Sequence, residues 1–96
     1  PRYDLNQPCQ AVRYYYYKFS QLAAKDLIKE KNLSARDYKD ELIYNAGWQG
    51  EKSELDNLVK IYEKARYKEE VDNQEVEKAV SLWQQLKVKR ENRVKD

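Results

Sequence analysis

Ser53–Tyr67 reads SELDNLVKIYEKARY. Within it Leu55, Leu58, Val59, Tyr62 and Ala65 recur at i, i+3, i+4, i+7 and i+10. At one turn per 3.6 residues these side chains share one helical face, and the charged residues occupy the rest. The same template fits Val12, Tyr15, Tyr16, Phe19 and Leu22, and again Val76, Ala79, Val80, Trp83 and Leu86. Three matches to one template predict amphipathic helices that bury their stripes against one another.

The start and stop signals extend this reading. Ser34 precedes Asp37 by three residues, as Ser53 precedes Asp56 and Asp72 precedes Glu75. A capping side chain with an acid three residues on is the signature of a helix start. Gly47 stands where a helix carrying Tyr38, Leu42, Ile43 and Ala46 should stop, because glycine accepts the left-handed cap conformation. The chain has only two Gly and two Pro, which favours long helices over turn-rich strands. The expected fold is therefore all-α, a compact bundle of four helices joined by short loops. Residues 1–8 form an irregular arm, 9–90 a single helical domain and 91–96 a basic tail. The helices are placed at Cys9–Lys31, Ala35–Ala46, Glu54–Tyr67 and Asn73–Arg90, with sequential helices as neighbours. The expected core holds the three stripes, without their alanines, together with Leu42. Truncating Tyr62 or Trp83 should then cost about 3–5 kcal/mol.

Composition narrows the chemistry. The 96 residues carry a net charge of +2. The last ten hold five basic and two acidic side chains, so the first 86 hold 14 basic against 15 acidic. A body this close to neutral lacks the electrostatic footprint of a nucleic-acid binder. No run of 18 apolar residues is present to span a bilayer, and no charged-then-apolar leader opens the chain. The chain begins at Pro1 and has no Met, which reads as an excised or processed piece. Cys9 is alone, so no internal disulfide is expected. There is no histidine, which removes Ser-His-Asp, Cys-His and Cys/His zinc sites together. The carboxylates are scattered beside Lys and Arg, as solvated helix faces are. No catalytic, cofactor-binding or metal-binding residues are expected, and an enzyme would have to use carboxylates or tyrosine alone.

Three features invite a functional reading. Tyr14-Tyr15-Tyr16-Tyr17 must surround a helix, with Tyr15 and Tyr16 on the stripe and Tyr14 and Tyr17 outside it. Arg13 and Lys18 flank the run, and tyrosine and arginine are enriched at protein interfaces. Arg66 and Tyr67 leave the stripe at the end of the third helix. The candidate partner surface is thus Arg13, Tyr14, Tyr17, Lys18, Arg66 and Tyr67. Gly47-Trp48-Gln49-Gly50 has the form of a GXXG clamp, but that clamp needs a neighbouring sheet. A capped turn with Trp48 folded over the core is the expectation. The basic tail reads as a solvated helix end or as a contact for phosphates or acidic lipids.

The order of these motifs resembles a known domain. Arg13-Tyr14-Tyr15-Tyr16-Tyr17-Lys18-Phe19 leads to Leu22-Ala23-Ala24, then Leu33-Ser34-Ala35-Arg36-Asp37-Tyr38, then Leu58-Val59-Lys60-Ile61-Tyr62-Glu63-Lys64-Ala65-Arg66-Tyr67. This is similar to the domain of unknown function at the cytoplasmic, carboxyl-terminal end of transglutaminase-like multi-pass membrane proteins. The helical tail of aerotolerance-type membrane-anchored proteins resembles it too, and the residues leave both open. The resemblance covers Arg13–Leu86. Ser34-Ala35 stands where Thr-Pro is usual, Asp37 where Glu is, and Lys68 where Gly often follows. It implies a helical domain on the cytoplasmic face of a membrane, tethered through a segment preceding Pro1. It implies no activity for this piece, since the family's Cys-His-Asp site lies in another domain. The expected function is a non-enzymatic interaction or regulatory domain with a protein partner. The alternative is a small helical nucleic-acid binder using the first helix and the basic tail, with helices two and three as a helix-turn-helix.

Overall fold

The computed structural model describes residues 2–67 and 70–94. It contains four α-helices: α1 (Pro8–Ala23), α2 (Ala35–Asn45), α3 (Lys52–Arg66) and α4 (Asn73–Val94), with a 3-10 turn at Gln49–Glu51 before α3. No strand occurs among the described residues, and the fold is an all-α bundle. α1, α3 and α4 pack on one another, and α2 packs chiefly on α3.

Two of the three expected caps form. The Asp37 amide donates to Ser34 Oγ at 3.1 Å. The Glu75 amide donates to Asp72 Oδ1 at 2.8 Å and the Asp72 amide to Glu75 Oε1 at 3.3 Å, a reciprocal capping box. The third does not. α3 starts before Ser53, out of the 3-10 turn, and Glu51 precedes it without a side-chain cap. Asp56 is instead held by Lys52 at 2.8 Å and Lys39 at 3.0 Å. Gly47 stops α2 at φ +82°, and the Trp48 amide returns to the Leu42 carbonyl at 3.0 Å.

α1 is shorter than its composition suggests. It starts at Pro8, whose missing N–H is no loss in a first turn, and it ends at Ala23 rather than Lys31. Beyond it the chain serves tertiary bonds: the Leu27 backbone carbonyl accepts from Tyr38 Oη at 2.6 Å, and the Asp26 side-chain Oδ2 accepts from Trp48 Nε1 at 2.8 Å. Residues 24–34 therefore form a non-helical connection, and α1 and α2 are not packed face to face as sequential neighbours would be. The arm is not loose. Asp4 closes a turn at residues 4–7, and its amide donates to Gln10 Oε1 at 2.8 Å.

The core is built on Val12, Phe19, Leu42, Leu55, Leu58, Val59 and Leu86 as expected, with Tyr16 also buried. Tyr15, Leu22, Tyr62, Val76, Val80 and Trp83 are only half-buried. α4 is rotated relative to its expected stripe, so that Ala79, Leu82 and Leu86 face inward. Trp48 folds over the core as expected, fully buried, and meets Phe19 edge-on at 5.9 Å. Tyr38, Ile43 and Ile61 complete the interior.

Candidate functional site

The four consecutive tyrosines are sorted by the helix turn. Tyr16 points inward and stacks on Tyr62, with ring centroids 3.7 Å apart and planes 12° from parallel. Its hydroxyl is buried and has no hydrogen-bond partner. Burial pushes the Tyr16 pKa well above the ordinary phenol value, with the neighbouring Tyr62 and Tyr38 adding to the rise. Tyr14 meets Tyr15 at 5.0 Å and Tyr3 at 5.9 Å, and Lys18 Nζ lies 6.0 Å from the Tyr14 ring. Tyr17 meets Tyr3 at 6.0 Å, and its hydroxyl accepts from Gln21 Nε2 at 2.8 Å.

A surface cleft of about 250 Å³ lies beside this face. Tyr3, Arg13, Tyr16, Tyr17, Ser20, Lys29 and Tyr62 line it. No carboxylate is among these residues, and neither Arg13 nor Lys29 forms an ion pair in the described structure.

The six residues expected to form a partner surface do not form one patch. Arg13 and Tyr17 enter the cleft, and Tyr14 and Lys18 lie next to it around Tyr3. Arg66 and Tyr67 stand apart at the end of α3, with the guanidinium 5.7 Å from the ring centroid. Tyr67 is 66% exposed, so it does not fold under the following linker. Tyr3 and Lys29 belong to the cleft but were invisible to periodicity, because both lie outside helices.

A second cluster closes on itself. The Arg90 guanidinium lies 4.5 Å over the Trp48 ring, donates to Asp26 Oδ2 at 2.9 Å and to the Gly47 carbonyl at 3.2 Å, and stands 3.6 Å from Glu51. Lys89 donates to Glu54 at 2.7 Å and to the Gly50 carbonyl at 3.1 Å. Two of the five cations assigned to a solvated basic end are thus folded back onto the 47–54 turn. Lys87 is exposed, while the side chains of Arg93 and Lys95 lie outside the described residues. The Gly47–Gly50 turn is a structural joint, as expected, with both glycine carbonyls taken by α4.

No group of three or more acidic or cysteine side chains that could hold a metal ion occurs among the described residues. No described helix is long and apolar enough to cross a membrane. Comparison with protein-family models, curated proteins and solved structures finds no match to this chain.

Proposed function

We propose that this chain is a non-enzymatic docking or regulatory domain that engages a protein partner through the α1 face. The observation that carries the reading is the cleft bearing Arg13, Lys29 and four tyrosine rings, with no acid among its described lining residues. Cations left without partners beside aromatic rings are what an interface hot spot needs, since tyrosine and arginine give large contact area and fork-shaped donors. The resemblance of the Tyr-rich helix and the Ala65-Arg66-Tyr67 end adds a tether at the cytoplasmic face of a membrane, through a segment preceding Pro1. A parent gene with no membrane-spanning segment upstream removes the tether and leaves the docking reading intact.

Site-specific photo-crosslinking tests the docking reading. Crosslinkers placed at Tyr14 and Tyr17 should trap one partner in cells, and a crosslinker at Gln84 on α4 should not. Equal capture at all three positions would contradict it.

A nucleic-acid reading has one observation in its favour. Lys18, Lys25 and Lys87 line a groove between α1 and α4 beside Trp83, with Glu91 the one acid among its described lining residues. Lysines around an indole form a base-stacking platform. Against it, Lys89 and Arg90 are already occupied. Binding to generic DNA or RNA that falls steeply with salt would favour this reading over the first.

A further inference from the structure

The cleft beside α1 has a donor inventory that specifies its ligand. Arg13 and Lys29 supply two positive charges, and no described lining residue supplies a negative one. Glu63, which follows Tyr62 on α3, is paired with Arg36 at 2.9 Å. Lys29 Nζ makes only a long contact of 3.4 Å to the Glu30 carbonyl. Among the hydroxyls, Ser20 already donates to the Tyr17 carbonyl at 2.7 Å and offers lone pairs alone. Tyr17 accepts from Gln21, so its own proton remains to be given. Tyr16 lies at the cleft, 7% exposed, and its hydroxyl is buried, so it offers its ring alone.

We propose that this cleft binds a phosphate monoester carried on a side chain of the protein partner, with Arg13, Lys29 and the Tyr17 hydroxyl as its donors and the Tyr16 ring as part of its wall. The inference rests on the docking reading and names the group that anchors it. A carboxylate would neutralise only one of the two cations. A phosphate monoester carries roughly −1.5 to −2 near neutral pH and three acceptor oxygens, which matches two cations and one hydroxyl donor. The rings of Tyr3 and Tyr62 add aromatic walls, which suit a phosphate borne on an aromatic side chain. A cleft of about 250 Å³ takes such a side chain and excludes a duplex.

Titration of the domain with phenyl phosphate, followed by amide shifts, is the first test. A saturable response confined to α1, Lys29 and Tyr62 is expected. Arg13→Gln and Lys29→Gln should each weaken binding by about tenfold without changing the melting temperature, as loss of a charge-assisted bond does. Tyr17→Phe should weaken it about threefold with little change in melting temperature, as loss of one exposed hydroxyl donor does. A tyrosyl peptide should bind only when phosphorylated. Absence of localised shifts at millimolar phenyl phosphate would overturn the proposal, as would equal binding of the unphosphorylated peptide. Binding to phosphatidic acid vesicles that depends on Arg13 and Lys29, with no peptide binding, would overturn the protein source. If cellular crosslinking at Tyr17 survives Arg13→Gln and Lys29→Gln, the docking reading stands and the phosphate anchor falls.

Discussion

Arg90 and Arg13 both lie beside aromatic side chains, and they have opposite fates. Arg90 is enclosed by Asp26, the Gly47 carbonyl, Glu51 and the Trp48 ring, and its side chain is 14% exposed. Arg13 is exposed beside Tyr16 and Tyr17 and pairs with nothing among the described residues. The difference is topological. α4 carries Arg90 back to the turn where three chain segments meet, so a long flexible cation becomes their common partner. α1 carries Arg13 outward to a face that no later element covers. A cation with a full set of internal partners builds the fold, and one left without any is free to bind something else.

The largest effect should come from the enclosed side. Trp48→Ala removes the largest fully buried side chain and its bond to Asp26, and should cost about 4 kcal/mol. Tyr17→Ala, on the open side, should cost under about 1 kcal/mol, because the ring is half-exposed. Chemical denaturation of both variants checks the contrast, and similar losses would break it. Arg90→Gln should cost about 2–3 kcal/mol, since it strips the clamp from Asp26 and from the buried Glu51. Tyr16→Phe should go the other way and raise stability by about 1 kcal/mol, because it deletes a buried donor that has no acceptor. A loss of stability there would mean the hydroxyl has a structural partner.

The helix starts sharpen the same lesson at about 1 kcal/mol. Ser34→Ala should cost about that much, and Ser53→Ala close to none, because only Ser34 caps an amide. Weaker still is the acid response of the surface pairs. A hydrogen bond from Lys52, helped by Lys39, holds the Asp56 carboxyl below its usual range. A bond from Lys64 does the same for Glu75. Both folded-state values are depressed, so their stabilisation is present above the ordinary carboxyl values of 3.8 and 4.5 and is lost as pH falls through the folded ones. Urea midpoints should fall modestly from about pH 6 to about pH 3, and less so in high salt.

Periodicity made the four helices and part of the core legible, because 3.6-residue stripes mark an inward face whatever the topology. It misread what depends on contacts distant in sequence. The burial of Trp48 was legible from its capped turn, but its partners Phe19, Asp26 and Arg90, all distant in sequence, were not. Arg90 belongs to a basic run that reads as solvated until α3 and α4 are packed. Lys25–Lys31 is composed like a helix, yet Asp26 and Leu27 leave it for Trp48 and Tyr38. At the candidate site, Arg13 and Tyr17 were visible as outward residues of the tyrosine run. Tyr3 and Lys29 were not, since only the closed arm and the end of α1 bring them there.

Thermal melting of Arg90→Gln beside Arg13→Gln tests the central contrast most directly. For a domain of this size each kcal/mol shifts the midpoint by about 4–8 °C. Arg90→Gln should melt at least about 8 °C below the parent, while Arg13→Gln should melt within about 2 °C of it. Equal midpoints, or a larger loss for Arg13→Gln, would contradict the division of this molecule into a clamped joint and an open binding face.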